Sequence, residues 1–108
     1  MKVVEDSMAF VTKDGQKLYS LIDLLVWLLS CDESSFRYHV NGEANHFYNW
    51  INDVLGYKDL ASNIKNVTDK EEMIKILKKY IFSQNANKLR KEGETEVLLE
   101  FVKTFIKE

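Results

Sequence analysis

Apolar residues recur along this chain in short bursts, and the spacing within each burst predicts an element. Met8–Tyr19 reads as a hairpin, with Met8-Ala9-Phe10-Val11-Thr12 and Lys17-Leu18-Tyr19 flanking Lys13-Asp14-Gly15-Gln16. The Asp14-Gly15 pair suits a primed two-residue turn, which needs positive φ, and Gly adopts positive φ at no steric cost. Two strands are marginal alone, so such a hairpin must pack on helices. A bare loop is the competing reading. From Leu21 to Ser30 the only charged residue is Asp23. This spacing predicts a helix capped by Ser20, and a helix apolar nearly all round belongs in the middle of a bundle. Cys31 and Asp32 close it. Asp32 then caps a second helix, Glu33–His39, which Val40-Asn41-Gly42 stops, because Asn and Gly tolerate the left-handed conformation.

The third helix is expected over about Ala44–Leu55, ending at Gly56. Phe47, Trp50, Ile51, Val54 and Leu55 fall at the i, i+3, i+4, i+7, i+8 spacing of one buried stripe, with His46, Asn49, Asn52 and Asp53 beside or opposite it. A short fourth helix, about Lys58–Ile64, buries Leu60, Ala61 and Ile64. Thr68 is the expected cap of a fifth, with Glu71 completing a capping box. That helix carries Met73, Ile74, Leu77, Tyr80 and Ile81 inward. Fraying near Ser83–Asn87 and continuation to Lys91 are both open. Beyond Gly93 a last helix, Glu94–Lys107, shows a wide apolar face of Val97, Leu98, Phe101, Val102, Phe105 and Ile106, and its charges suit the helix dipole. The fold class is therefore mainly α. We expect a compact bundle of five to six helices with a short N-terminal β-hairpin, in a single domain over 1–108: hairpin 8–19, helices 20–64, C-terminal helices 68–108.

Composition narrows this picture. A chain of 108 residues with 45% hydrophobic and 30% charged residues fits one globular domain. It contains no proline, so punctuation falls to its four glycines and to polar clusters. The net charge of −2 hides an asymmetry. Met73–Lys91 holds six basic residues and no acidic one, so the other nine basic residues face all 17 acidic ones, a balance of −8. A lone cysteine, Cys31, points to a reducing compartment. The Met1–Asp6 stretch lacks the apolar core of a signal peptide, and Leu24–Leu29 is far short of the roughly 20 residues of a membrane span. The expectation is a cytoplasmic protein without a membrane association.

The densest pattern runs Phe36-Arg-Tyr-His-Val-Asn-Gly-Glu-Ala-Asn-His-Phe-Tyr-Asn-Trp-Ile-Asn-Asp-Val-Leu-Gly56, followed by Leu60-Ala61. It resembles a family of small domains of unknown function, found mostly in archaea and uncultured bacterial lineages. The family pattern is F-x-x-H-V-N, a short spacer, then N-D-F-x-N-W-I-x-D-V-x-G-D-x-x-L-A. Phe36, His39, Val40, Asn41, Asn45, Phe47, Asn49, Trp50, Ile51, Asp53, Val54, Gly56, Leu60 and Ala61 match it. The resemblance extends loosely to the strand-turn unit at Phe10–Tyr19 and the helix after it, and fades after Ile64. His46 and Tyr57 stand where the family has Asp. The resemblance implies a fold and brings no biochemical activity with it. Read for themselves, Phe36, Val40, Phe47, Trp50, Ile51 and Val54 are core anchors of two helices packed across the Asn41–Asn45 turn. The asparagines suit that turn, since their amides bond nearby backbone. His39 and Trp50 can each present an N–H to a turn carbonyl while their rings stay buried.

Candidate chemistry is sparse. Cys31, His39 and His46 with Asp32, Glu43 or Asp53 match no paired metal-ligand spacing, so capping and core roles explain them better and no metal is expected. Cys31 follows an apolar helix, where a thiol is inert. His39 beside Ser34 or Ser35 lacks an oxyanion-hole loop, and Asp53 with Asp59 reads as helix-end carboxylates. No glycine loop for phosphate is present, so neither a cofactor nor an enzyme is expected. Two binding functions stay open. Lys75, Lys78, Lys79, Lys88, Arg90 and Lys91 could contact phosphates, with Ser83-Gln-Asn-Ala-Asn reaching sugars or bases. Against this, lysines on the outer face of an amphipathic helix usually serve solubility, and the chain is acidic overall. The favoured reading is a protein-interaction or assembly module, with self-association through the last helix as one form.

Overall fold

A computed structural model describes residues 2–91, with side chains as far as Gln84. A 3-10 turn at Asp6–Met8 precedes strands β1 (Phe10–Val11) and β2 (Lys17–Leu18). Then come α1 (Leu21–Ser30), α2 (Glu33–His39), α3 (His46–Trp50), a π-helical turn (Ile51–Leu55), α4 (Lys58–Ile64) and α5 (Lys70–Lys91). The protein is thus mainly helical with a short antiparallel N-terminal hairpin, as its pattern predicts. The chain divides into two units, 1–77 and 78–108, and α5 runs from the first into the second. The expected last helix, Glu94–Lys107, lies outside the described residues.

The hairpin is shorter than Met8–Tyr19 and turns differently. Phe10 pairs with Leu18 and Val11 with Lys17. The amide of Thr12 donates to the Gln16 carbonyl and that of Gly15 to the Thr12 carbonyl. Gly15 sits at φ +86°, while among the described residues no non-glycine residue has positive φ. A primed two-residue turn needs positive φ at its first central residue, so it is ruled out here. A longer loop with a left-handed glycine closes the strands instead.

The helix starts follow local hydrogen-bond chemistry. Ser20 Oγ accepts from the Asp23 amide, and Asp32 Oδ1 accepts from the Ser35 amide, capping α1 and α2 as expected. Asn45, not Ala44, opens α3, by accepting from the Tyr48 amide at 3.0 Å. The carboxylate of Asp69 opens α5 by accepting from the Glu72 amide. That overturns the expected Thr68–Glu71 box: the carboxylate one residue later takes an orphan donor of the first turn. The helix then continues through Ser83–Asn87 to Lys91 without a break.

In residues 1–77, Leu21, Leu24, Leu28, Phe36, Phe47 and Ile51 are fully buried. Leu60, Ala61 and Ile64 are buried as α4 predicts. Val54 and Tyr80 are only half-buried. The π turn explains Val54, because an i→i+5 turn rotates the stripe away from a 3.6-residue period. A larger departure is α1, which is not buried all round. Leu21, Leu24, Leu25, Trp27 and Leu28 face the core, while Ile22, Val26 and Leu29 are 46%, 58% and 53% exposed. Among the described residues no helix is long and apolar enough to cross a membrane.

Candidate functional site

The corner between α2 and α3 collects most of the motif. Asn41 and Asn45 spend their amides on backbone. Asn41 Oδ1 accepts from the amides of Glu43 and Ala44 at 2.8 and 3.1 Å, and its Nδ2 donates to the Arg37 carbonyl in the last turn of α2. Asn45 caps α3 with its oxygen and donates through Nδ2 to the Ile64 carbonyl at 2.9 Å, fixing the end of α4 to the corner. Gly56, at φ +77°, ends the π turn by donating its amide to the Ile51 carbonyl. Asn49 and Asp53 are exposed, and Asp53 accepts only from Asn52 Nδ2 among the hydrogen bonds seen. The turn is held by Asn41 and Asn45, while Asn49 lines the cleft beside it. Beside the corner lies an open cleft of about 440 Å³, lined by Asn41, Asn45, Tyr48, Asn49, Lys65 and Thr68 among others. The Lys65 ammonium rests 5.7 Å from the centre of the Tyr48 ring.

Under the corner is an aromatic cluster. Phe10 packs at 5.0 Å against both His39 and Phe47, and at 5.7 Å against Trp50. Trp27 meets Phe47 edge-on at 5.6 Å. Trp50 Nε1 donates to the Met8 carbonyl at 2.9 Å, so the indole holds the segment before the hairpin and not a carbonyl of the Asn41–Asn45 turn. His39 departs further from expectation. It presents no N–H to a carbonyl: its Nε2 accepts from the Lys13 amide at 3.0 Å, and its Nδ1 lies 3.2 Å from Nδ1 of His46. Burial first, then the charge of His46, pushes the His39 pKa down to about 4, against a smaller opposite pull from Asp14. Asp14 itself accepts from Thr12 Oγ1, from Gln16 Nε2 and from Trp27 Nε1, so the hairpin loop is tied to α1 as well.

The other candidates are scattered. Cys31 is half-buried at the end of α1, and burial pushes its thiol pKa up. Ser34 Oγ donates to Asp32. Among the described residues no three His, Cys, Asp or Glu side chains are grouped to hold a metal. Lys75 and Lys79 are exposed on α5 and Lys78 is half-buried. The side chains of Lys88, Arg90 and Lys91 lie outside the described residues. What the sequence reading missed is the outer face of α1. Ile22, Val26 and Leu29 stand at i, i+4 and i+7, so they form one stripe. That spacing was visible, but an apolar helix leaves open which side the core takes.

These features define a class: a small, mainly helical domain whose corner is held by backbone-directed asparagine amides and whose hairpin is pinned to that corner by a buried histidine. Comparison with protein-family models, with curated proteins and with solved structures found no match to the chain.

Proposed function

We propose that the protein is a non-catalytic protein-interaction or assembly module that docks through the outer face of α1. The exposed stripe of Ile22, Val26 and Leu29 carries this reading. Single exposed apolar residues are ordinary, whereas aligned ones on a regular helix form a patch of the kind used for contact. The polar groups of the corner support a non-catalytic role, because Asn41, Asn45 and Asp14 are consumed by structural hydrogen bonds. The family resemblance across Phe36–Ala61 fits the same reading, since its matched residues serve mostly as core and turn. A second copy of the chain is the first partner to test. Sedimentation over a concentration series should show the weight-average mass rising above 12.7 kDa. A constant monomer mass at the highest soluble concentration would exclude self-association.

A nucleic-acid role is the second reading, favoured by exposed Lys75 and Lys79 within a stretch free of acidic residues. Phosphate contacts release counterions, so binding would weaken steeply with salt. Mobility-shift titrations at low and moderate salt decide it, and no shift at low salt removes it.

A further inference from the structure

His39 and His46 meet under unusual constraints. An amide N–H can only donate, so the Lys13 amide at 3.0 Å requires a bare lone pair on Nε2 of His39. The proton of the neutral ring is then on Nδ1, pointing at Nδ1 of His46 3.2 Å away. That nitrogen must accept, which leaves the proton of His46 on Nε2. With both rings neutral, both of these contacts are satisfied.

One more proton has two places to go. On Nε2 of His39 it sets one N–H against the Lys13 amide. On Nδ1 of His46 it sets one N–H against that of His39. Either position breaks one of the two contacts and puts a cation at or beside a ring only 3% exposed. The geometry points to an acid-sensitive latch: the histidine pair clamps the hairpin loop to the α2–α3 corner while both rings are neutral, and releases the loop when it takes up an additional proton.

The surroundings match this role. From the hairpin loop, Lys13 opposes a proton on His39 and Asp14 favours it. From α2, the Tyr38 ring stands edge-on at 5.0 Å. From α1, the facing side chain is the uncharged Trp27 at 5.8 Å, and from α3 they are His46 and Phe47. Among the described residues no carboxylate accepts a hydrogen bond from either ring. The loop that would be released also carries the Asp14 contact to Trp27.

The test is residue-resolved amide exchange on the full chain from pH 7.5 to 4.5, corrected for intrinsic rates, with ring nitrogen chemical shifts as a second readout. At pH 7.5 His39 should be protonated at Nδ1 and bare at Nε2. By pH 4.5 protection at Lys13 should fall by about tenfold or more, the factor that one pKa unit represents, while the amides of α4 keep theirs. His46→Asn retains an acceptor for the His39 proton but cannot itself titrate, so its loss of Lys13 protection should come at lower pH. An Nε2-protonated His39 at pH 7.5, or Lys13 protection that falls only together with α4, would overturn the latch. So would stoichiometric binding of Zn²⁺ between the two Nδ1 atoms at pH 7.5, which would make the pair a metal site instead.

Discussion

At Asn45 one side chain serves two elements, and its two halves can be separated by mutation. Its oxygen caps α3 and its amide nitrogen holds the end of α4. Asn45→Ala should lower stability by about 2 kcal/mol, a cap plus a tertiary hydrogen bond, and Asn45→Asp by about half as much because it keeps the cap. Urea denaturation of the two variants checks the order. His39 sets a pH dependence of its own. Its folded pKa of about 4 lies below the ordinary value of 6.5, so between those values the unfolded chain binds more protons. Stability should therefore be complete above about pH 6.5 and fall as the pH drops towards 4. Asp6, Asp14 and Asp32 have lowered pKa values, through hydrogen bonds first in each case, so they act in a lower window, below about 3.8. Denaturation midpoints at pH 7.5, 4.5 and 3 separate the two windows, and a flat profile between 7.5 and 4.5 would contradict the role given to His39. At Gly56 an added Cβ meets open space, so Gly56→Ala should cost only the left-handed backbone penalty, about 1 kcal/mol.

Between elements, local signals were legible and long-range ones were not. The spans of α1, α2 and α4, and the caps at Ser20 and Asp32, follow from side chains within four residues, and these were legible in the sequence. The cap of α5 was misplaced by one residue because Thr68 and Asp69 are both good caps, and only the backbone path chooses between them. Asp69→Ala should cost about 1 kcal/mol and Thr68→Ala close to none, measurable in the same denaturation assay. The π turn at Ile51–Leu55 has no signature that the apolar stripe reveals. Neither does the partner of His39, which lies 26 residues upstream in the hairpin loop. Phe36–Ala61 is the densest pattern in the sequence, and its aromatics and two of its asparagines hold the corner together. Its link to Lys13 depends on the loop that Gly15 turns, and a motif read alone cannot contain that.

For the whole molecule, our proposal gives construction to the corner and contact to the outer face of α1. The hairpin, α2, α3 and α4 are bound into one corner through Lys13, Asn41 and Asn45. That leaves the apolar outer side of α1 as the surface our functional reading relies on. If the face serves a partner and not the fold, charge placed there should abolish association without unfolding the protein. The most direct measurement is therefore the double variant Val26→Lys, Leu29→Lys, followed by thermal melting and by sedimentation. The account predicts a melting temperature within about 4 °C of the parent, as for surface substitutions in a domain of this size, together with loss of concentration-dependent association. A collapse of the melting temperature would place the face in the core. Association equal to that of the parent would show that the contact is made elsewhere.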